Sequence, residues 1–282
     1  MHTYFFLKQT TNYFFGFLIC ISSSLLAQNK SLNYLFPVKQ DISLSGTFGE
    51  LRANHLHSGI DIRTNGEEGW PVFAVDSGFV SRININPFGF GKTIYINHPH
   101  GIVSVYAHLK EFNKTIESFV KSEQYNQKIA DGNFFPKKYQ IKVNKGDFIA
   151  LSGNSGSSGG PHLHFEFRDS LSQKPLNPEA FFSIRDHIKP EIQAIVIYPI
   201  DRYSFINGKN QKLFIPLNKN VKSLKDIKLY GKIGFGIQVT DYHDRDNNSN
   251  GIYSIQVRVD TLQIFQLKLD SFSFDQTRYA NS

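Results

Sequence analysis

The chain has 282 residues, of which 40% are hydrophobic and 20% are charged. These fractions are those of an average soluble globular protein, so they exclude a disordered chain and a polytopic membrane protein, and the length allows one large or two ordinary domains. The formal net charge of +7 suits an anionic partner, but the lysines are scattered and form no basic and aromatic module, so we expect no nucleic-acid partner.

The first 27 residues have the pattern of a secretory signal peptide. Lys8 precedes an apolar run at 13–26, and small serines precede Ala27. The run is shorter than the roughly 20 residues needed to span a bilayer, which favours cleavage over a permanent anchor. We therefore predict an exported protein, in the periplasm or outside the cell, with no stable membrane span. Cys20 is the only cysteine and lies in this run, so a metal in the mature chain must bind His and carboxylate side chains.

The following segments have the pattern of a β protein. With 26 Phe and 13 Tyr, the composition favours pleated, half-buried surfaces. Segments with period-two alternation between Gly, Pro or Asn turns predict antiparallel strands at 72–75, 79–83, 93–97, 103–108, 139–143, 148–151 and 162–167. Apolar residues at near-helical spacing predict one helical insertion within 109–130. The predicted fold class is all-β, with an antiparallel β-sheet groove.

A second set of strand patterns begins after Pro190, at 192–197, 212–216, 235–240, 252–260 and 264–269. It contains no dense His or acidic cluster and is typical of a β-sandwich module. We therefore predict one domain at 28–187 and a β-rich accessory domain at 188–282, incomplete because no closing strand follows. Asp246 opens a calcium-loop pattern, but Val257 stands where the closing Glu is required, so a polar turn is the better interpretation.

Five of the ten His residues lie in three short segments: His55-Leu-His57-Ser-Gly-Ile-Asp61, Tyr106-Ala-His108-Leu109 and Pro161-His162-Leu-His164-Phe-Glu166. Residues two apart on a strand face the same way, so His162 and His164 point into one cleft. The Gly/Ser-rich loop at 152–160 leaves the backbone room to approach a substrate closely. A metal site or a catalytic pair fits this arrangement.

Two imidazoles and one carboxylate meet the needs of a hydrolytic zinc site, which takes three protein ligands and keeps one position open for water. Further imidazoles can then move protons, since they titrate near neutral pH. Spacing alone does not decide which His residues are ligands, because His55 and His57 also form a same-face pair. A His-X-His-X-Asp motif is excluded, since Gly59 stands where Asp is required.

In content and order, the three segments resemble the signatures of the lysostaphin and LytM-type zinc peptidases, over roughly residues 40–178. The resemblance implies an antiparallel β-sheet groove and one Zn²⁺ per chain held by His57, Asp61 and His164. It further implies that His108 and His162 line the metal site, orient or deprotonate the water and stabilise the tetrahedral intermediate.

The remaining candidates are assigned by their context. His55 is expected in an exposed loop, and His98 and His100, which flank Pro99, are expected at the surface. For Glu166 two interpretations stay open. It either supports a metal ligand by a hydrogen bond without binding the metal itself, or it is a solvated strand residue.

The complete residue set and the predicted export together favour a zinc endopeptidase that hydrolyses peptide cross-links or stem peptides of bacterial peptidoglycan. The alternative is a non-catalytic module that binds the cell wall or activates an amidase and keeps its metal for stability. The intact pair His108 and His162 counts against that alternative, because a purely structural site does not need it. The C-terminal domain is a candidate for contact with the wall or with a regulatory protein.

Overall fold

A computed structural model of the chain describes residues 33–40, 42–184, 186–217, 227–244, 248–277 and 279, and the backbone of 17–22. Over these ranges, every helix is too short or too polar to cross a bilayer. Contacts divide the chain into two compact units. We call them the large unit, the described part of Leu25–Arg185 and Leu269–Ser282, and the small unit, that of Met1–Ser24 and Asp186–Lys268.

The elements follow one another in this order: β1 Phe17–Ser22, β2 Leu44–Gly46, β3 Ile60–Arg63, β4 Pro71–Phe73, β5 Gly78–Ile85, β6 Thr93–Asn97, β7 Ile102–Ala107, β8 Leu109–Phe112, α1 Lys114–Gln127, β9 Gly132–Phe134, β10 Lys142–Val143, β11 Phe148–Ser152, β12 His162–Asp169 and β13 Pro175–Leu176. They continue with β14 Glu191–Pro199, β15 Phe205–Ile206, β16 Leu213–Pro216, β17 Leu229–Tyr230, β18 Ile233–Thr240, β19 Ser254–Val259, β20 Leu262–Lys268 and α2 Phe274–Thr277. Single 3₁₀ turns lie at Pro99–Gly101 and Pro178–Ala180.

The large unit is built on an antiparallel sheet with the strand order β10-β5-β6-β7-β12-β3-β2. A smaller sheet has the order β4-β11-β8. Apolar residues from both sheets, among them Ile62, Val72, Phe165 and Phe167, are fully buried in one core cluster. Strand β12 is buried along most of its length between β3 and β7, so the functional segment at 162–166 lies in the middle of the main sheet.

The predicted fold class is confirmed, and β6 has the predicted bounds. The helix prediction within 109–130 is partly wrong, because Leu109–Phe112 forms β8 and pairs with β11. The helix itself begins after Asn113, whose side chain accepts a hydrogen bond from the Ile116 N–H at 2.9 Å. It ends at Lys128, which has a left-handed conformation with φ 56°.

The small unit contains two three-stranded antiparallel sheets, β16-β14-β18 and β1-β19-β20, and the short pair β15-β17. Ile195 and Ile237 from the first sheet share one core cluster with Ile255 and Val257 from β19. Two sheets that bury their apolar faces in one core have the arrangement of a β-sandwich.

The domain boundaries at residues 27 and 187 stay predictions. Residues 17–22, within the predicted signal peptide, pair with β19, and the rest of 1–27 lies outside the described residues. Residues that follow Lys268 pack within the large unit, where the Phe272 ring stacks on Phe48 with a centroid distance of 5.0 Å. The start of the calcium-loop pattern, at 246–247, also lies outside the described residues.

Candidate metal centre

The pairing of β3 with β12 brings distant parts of the sequence together. In this antiparallel register His164 lies directly opposite Asp61, and side chains of directly opposite residues are neighbours on the same face of a sheet. His57 lies in the loop before β3, where its N–H donates to the Glu50 carbonyl at 2.8 Å. The three residues that the resemblance implies as ligands therefore meet at one point of the large unit.

One atom from each of these three side chains converges on the others. His57 Nε2 and His164 Nδ1 are 3.0 Å apart, and they lie 3.0 and 2.9 Å from Asp61 Oδ1. The three side chains are nearly inaccessible to solvent. Two imidazole nitrogens and a carboxylate oxygen, all within 4.8 Å of one another, are a donor set that fits a zinc ion.

The second ring nitrogen of His57 and the second carboxylate oxygen of Asp61 bond to groups outside the cluster. His57 Nδ1 is 2.8 Å from the Thr47 carbonyl oxygen, to which it must donate because a carbonyl only accepts. The Arg52 guanidinium donates to Asp61 Oδ2 at 2.9 Å. Burial alone would raise the pKa of the Asp61 carboxyl, but His57 and the surrounding imidazole hydrogen bonds hold it well below its usual range. Each side chain thus presents one defined atom to the cluster.

His164 is oriented by a buried carboxylate. Its Nε2 lies 3.0 Å from Glu166 Oε1, and its Nδ1 faces Asp61. Burial disfavours the imidazolium form, yet the hydrogen bonds to the two carboxylates raise the pKa of His164 to about 9 in the ion-free protein. The Glu166 side chain is fully buried, so the interpretation of Glu166 as a solvated strand residue is wrong.

His108 and His162 lie beside this cluster, with ring centroids 4.7 Å apart. His108 Nδ1 is 2.8 Å from the Ser155 carbonyl oxygen, and His162 Nδ1 is 2.8 Å from that of Gly160. Because a carbonyl only accepts, both Nδ1 atoms carry a proton, and in the neutral rings the lone pair lies on Nε2. His162 Nε2 is 3.4 Å from Asp61 Oδ1, so the available nitrogen of this ring faces the cluster.

The backbone of His108 has an unusual conformation. This residue follows the last residue of β7 and has φ 56°, in the left-handed region that non-glycine residues rarely adopt. Its N–H donates to the Phe90 carbonyl at 2.9 Å, which helps to hold this conformation. Burial, followed by the neighbouring His164 and His162, lowers the pKa of His108 to about 4, so its imidazole is neutral near pH 7.

The other His candidates lie elsewhere. The exposed His55 ring bonds to the Asn54 side chain at 2.6 Å, as expected of a loop residue. The surface prediction holds for His100 but is wrong for His98, which is 8% exposed. The His98 ring lies between the Ser77 carbonyl and the Ser104 hydroxyl, with distances of 3.0 and 2.6 Å.

Sequence reasoning missed three side chains that support the cluster. Arg52 bonds to Asp61, Arg168 bonds to Glu166, and the Phe90 ring stacks on His164 with a centroid distance of 4.9 Å. Only Arg168 had a readable signal, because it lies two residues beyond Glu166 and would share its face if the strand predicted at 162–167 continued by one residue.

Comparison with known proteins shows similarity to peptidases of the kind that the sequence motifs resemble. The model of peptidase family M23 matches residues 55–133. The chain is 30% identical over 149 residues to an uncharacterized metalloprotease of Haemophilus influenzae, a match of 51% of this chain and 26% of the relative. It is 32% identical over 123 residues to the DD-carboxypeptidase/endopeptidase Mpg of Neisseria meningitidis, covering 44% of this chain and 22% of the relative.

Lysostaphin of Staphylococcus simulans is 28% identical over 127 residues, covering 43% of this chain and 21% of the relative. Among solved structures, a zinc containing peptidase from Vibrio cholerae is similar to this chain, with 24% identity and a TM-score of 0.38. The match covers 52% of this chain and 39% of the peptidase chain. The matched segment spans about a quarter of the length of the curated relatives. The resemblance to the lysostaphin and LytM-type peptidases is confirmed.

Proposed function

We propose that this chain, whose large unit carries a domain of the M23 peptidase type, is a zinc-dependent endopeptidase that hydrolyses peptide cross-links or stem peptides of peptidoglycan. The observation that carries the proposal is the convergence of His57 Nε2, Asp61 Oδ1 and His164 Nδ1 next to two further imidazoles. A site that serves only to stabilise the fold takes four protein ligands, so it leaves at least one of these two imidazoles without a role.

In the proposed site, His57, Asp61 and His164 would hold one zinc ion. When bound, zinc supplies Lewis acidity, which polarises a carbonyl group and makes water more acidic. The chain supplies the proton chemistry. A neutral imidazole whose lone pair is on Nε2 accepts a proton from water, and the imidazolium that results donates a proton to the departing amine or a hydrogen bond to the developing oxyanion.

The tautomers of His108 and His162 suit these roles, because the Ser155 and Gly160 carbonyls hold the Nδ1 protons and leave Nε2 for the substrate. The left-handed backbone of His108 supports a functional role, because strain of this kind is concentrated at active sites.

Peptidoglycan as the substrate, and export of the protein, are parts of the same proposal. The relative Mpg is named a DD-carboxypeptidase/endopeptidase. The signal pattern at 1–27 supports export, and the net charge of +7 suits an acidic wall polymer. We expect contact with the wall or with a regulatory protein through the C-terminal domain predicted at 188–282.

The proposal is tested by incubating the full chain with cross-linked muropeptides, with and without a chelator. Mass analysis of the products then identifies the bond that is cleaved. We expect cleavage that stops with the chelator and returns with zinc. His164→Ala should lose both zinc and activity, whereas His108→Ala should keep zinc and lose about 10²- to 10⁴-fold in rate. The exposed His55→Ala is the matched control, which should keep both.

Cleavage that is indifferent to the chelator would refute the metal mechanism. Stoichiometric zinc without cleavage of any muropeptide would instead favour the non-catalytic wall-binding or amidase-activating module. Retained turnover in His164→Ala or His108→Ala would overturn the roles given to these two residues.

A further inference from the structure

Glu166 is the most completely buried charged group near the metal centre, and the proposed proton chemistry gives it no role. The Glu166 side chain is 0% exposed, and both of its oxygens are engaged. Oε1 lies 3.0 Å from His164 Nε2 and accepts a hydrogen bond from the Ser58 hydroxyl. Oε2 accepts a hydrogen bond from Arg168 Nε at 2.5 Å and forms an ion pair with Arg168 Nη2, also at 2.5 Å. Since a buried carboxylate is costly unless it is fully paired, this arrangement calls for a specific explanation.

Arg168 is itself held in place. Its guanidinium lies over the Tyr95 ring, 5.6 Å from the centroid, and over the Phe274 ring at 4.8 Å. Two aromatic faces and a two-point contact with Glu166 fix the plane of the guanidinium, which a single-point ammonium group could not match. Because a guanidinium stays protonated and only donates, Glu166 Oε2 is an acceptor in this contact.

Glu166 Oε1 accepts from the Ser58 hydroxyl and Oε2 accepts from Arg168, so both oxygens are acceptors and the proton between Glu166 and His164 belongs to Nε2 of the ring. The lone pair of a neutral His164 then lies on Nδ1, the atom that faces His57 and Asp61. The hydroxyl of Ser58, the residue after His57, donates to the same Glu166 oxygen. One carboxylate therefore connects β12 with the loop that carries His57.

We propose that Glu166, held by Arg168, is a positioning residue that fixes the ring orientation and the tautomer of His164 and connects it to the His57 loop. The inference rests on the metal site of the proposed function. Carboxylates behind a metal-binding His restrict its ring and raise its basicity, and their replacement costs about 10- to 100-fold in metal affinity.

The substitution Glu166→Gln tests the inference, because it keeps the shape of the side chain and leaves a single acceptor oxygen. That oxygen can serve either Arg168 or His164, but not both. In the full chain we expect the dissociation constant for zinc, measured by competition with a chelator, to rise about 10- to 100-fold. We also expect the Nε2 proton of His164, observed by NMR, to lose its protection from exchange with water.

Arg168→Lys keeps the positive charge but not the two-point contact, and we expect a smaller loss of zinc affinity. It provides the same test should Glu166→Gln fail to fold. Glu111→Gln makes the same replacement of a carboxylate by an amide at an exposed position of β8, and it is the control for that replacement. Ile83→Ala, in the core of the large unit, is the control for lost stability, since it should lower the melting temperature without weakening zinc binding.

A purely structural ion pair predicts a different result: a lower melting temperature with unchanged zinc affinity and an unchanged Nε2 proton in Glu166→Gln. That result would overturn the inference. If the wild-type chain binds no zinc, the proposed function fails, but the Nε2 proton of the zinc-free chain still decides the role of Glu166. Equal protection of the His164 Nε2 proton from exchange in wild type and in Glu166→Gln would then reject the positioning role of Glu166.

Discussion

Gly59, the residue before β3 in the ligand motif, lies too close to β12 for any side chain. A Cβ atom at this position would lie 2.2 Å from the backbone oxygen of Phe165 and 2.8 Å from Cγ of Glu166. Since even weak C–H···O contacts have carbon–oxygen distances of about 3.3 Å, an alanine requires a local separation of about 1 Å. Overpacking of this kind costs about 1–3 kcal/mol, so we expect Gly59→Ala to lower the free energy of unfolding by that amount.

The effect on the metal site should exceed the effect on stability. Gly59 is two residues from His57 and two from Asp61, and a functional site tolerates displacements of only about 0.5 Å. A shift of twice that size separates His57 Nε2 and Asp61 Oδ1 from His164 Nδ1 on β12. We expect at least about a tenfold loss of zinc affinity, the lower end of what the loss of supporting contacts costs.

The assay combines urea denaturation with zinc competition on the full chain. Gly159→Ala is the matched control, because a Cβ there meets no atom within 4 Å and its φ lies outside the left-handed region. It should stay within about 0.5 kcal/mol of wild type, as surface substitutions usually do. Gly59→Ala could instead match Gly159→Ala in both the free energy of unfolding and the zinc affinity. In that case the close approach of Gly59 to β12 would not be what positions His57 and Asp61.

Three further predictions concern the rest of the large unit, and urea denaturation measures each. Tyr106→Phe removes a fully buried hydroxyl that accepts from the Val75 N–H at 3.0 Å, and should cost about 1–3 kcal/mol; a change near zero would contradict the buried contact. Burial lowers the pKa of His98 below 6.5, so as the pH falls through that value the unfolded chain binds a proton that the folded chain does not. His98 therefore destabilises the fold at low pH, and His98→Gln should reduce the acid sensitivity by up to about 1.4 kcal/mol per pH unit; equal slopes would refute this. Asn113→Ala removes the cap of α1 and should cost about 1 kcal/mol, whereas an unchanged free energy of unfolding would show that the bond to Ile116 is not needed.

The sequence was most informative where one periodicity dominates. Alternation along Thr93–Asn97 gave β6 with its correct bounds, and the same rule placed His162, His164 and Glu166 on one face. It was least informative for β3, which was not predicted, because the apolar and polar alternation of Ile60–Arg63 spans only four residues. The helix prediction over Leu109–Phe112 failed because Leu109 and Phe112, three residues apart, have helical spacing, whereas pairing with β11 through a register shift makes this segment a strand.

Arg52 and Phe90 could not be predicted as supporting residues of the site, since their role depends on tertiary contacts. Arg52 forms ion pairs with Glu50 and Asp61, and nothing in the local pattern identifies those carboxylates as its partners. The burial of His98 depends on Ser104 and on the Ser77 carbonyl, 21 residues away. Local sequence therefore identified the reactive residue types, whereas tertiary packing determines which atom of each side chain is available.

His162 and His164 show this difference most clearly, because their spacing makes them equivalent. Register separates them: His164 lies opposite Asp61, whereas His162 lies opposite Arg63. Their second nitrogens also differ, since Glu166 holds Nε2 of His164 and the Gly160 carbonyl holds Nδ1 of His162. A carboxylate makes an imidazole a more basic ligand, whereas a neutral carbonyl only fixes its tautomer. These contacts therefore support His164 as the ligand and His162 as the residue that handles the proton.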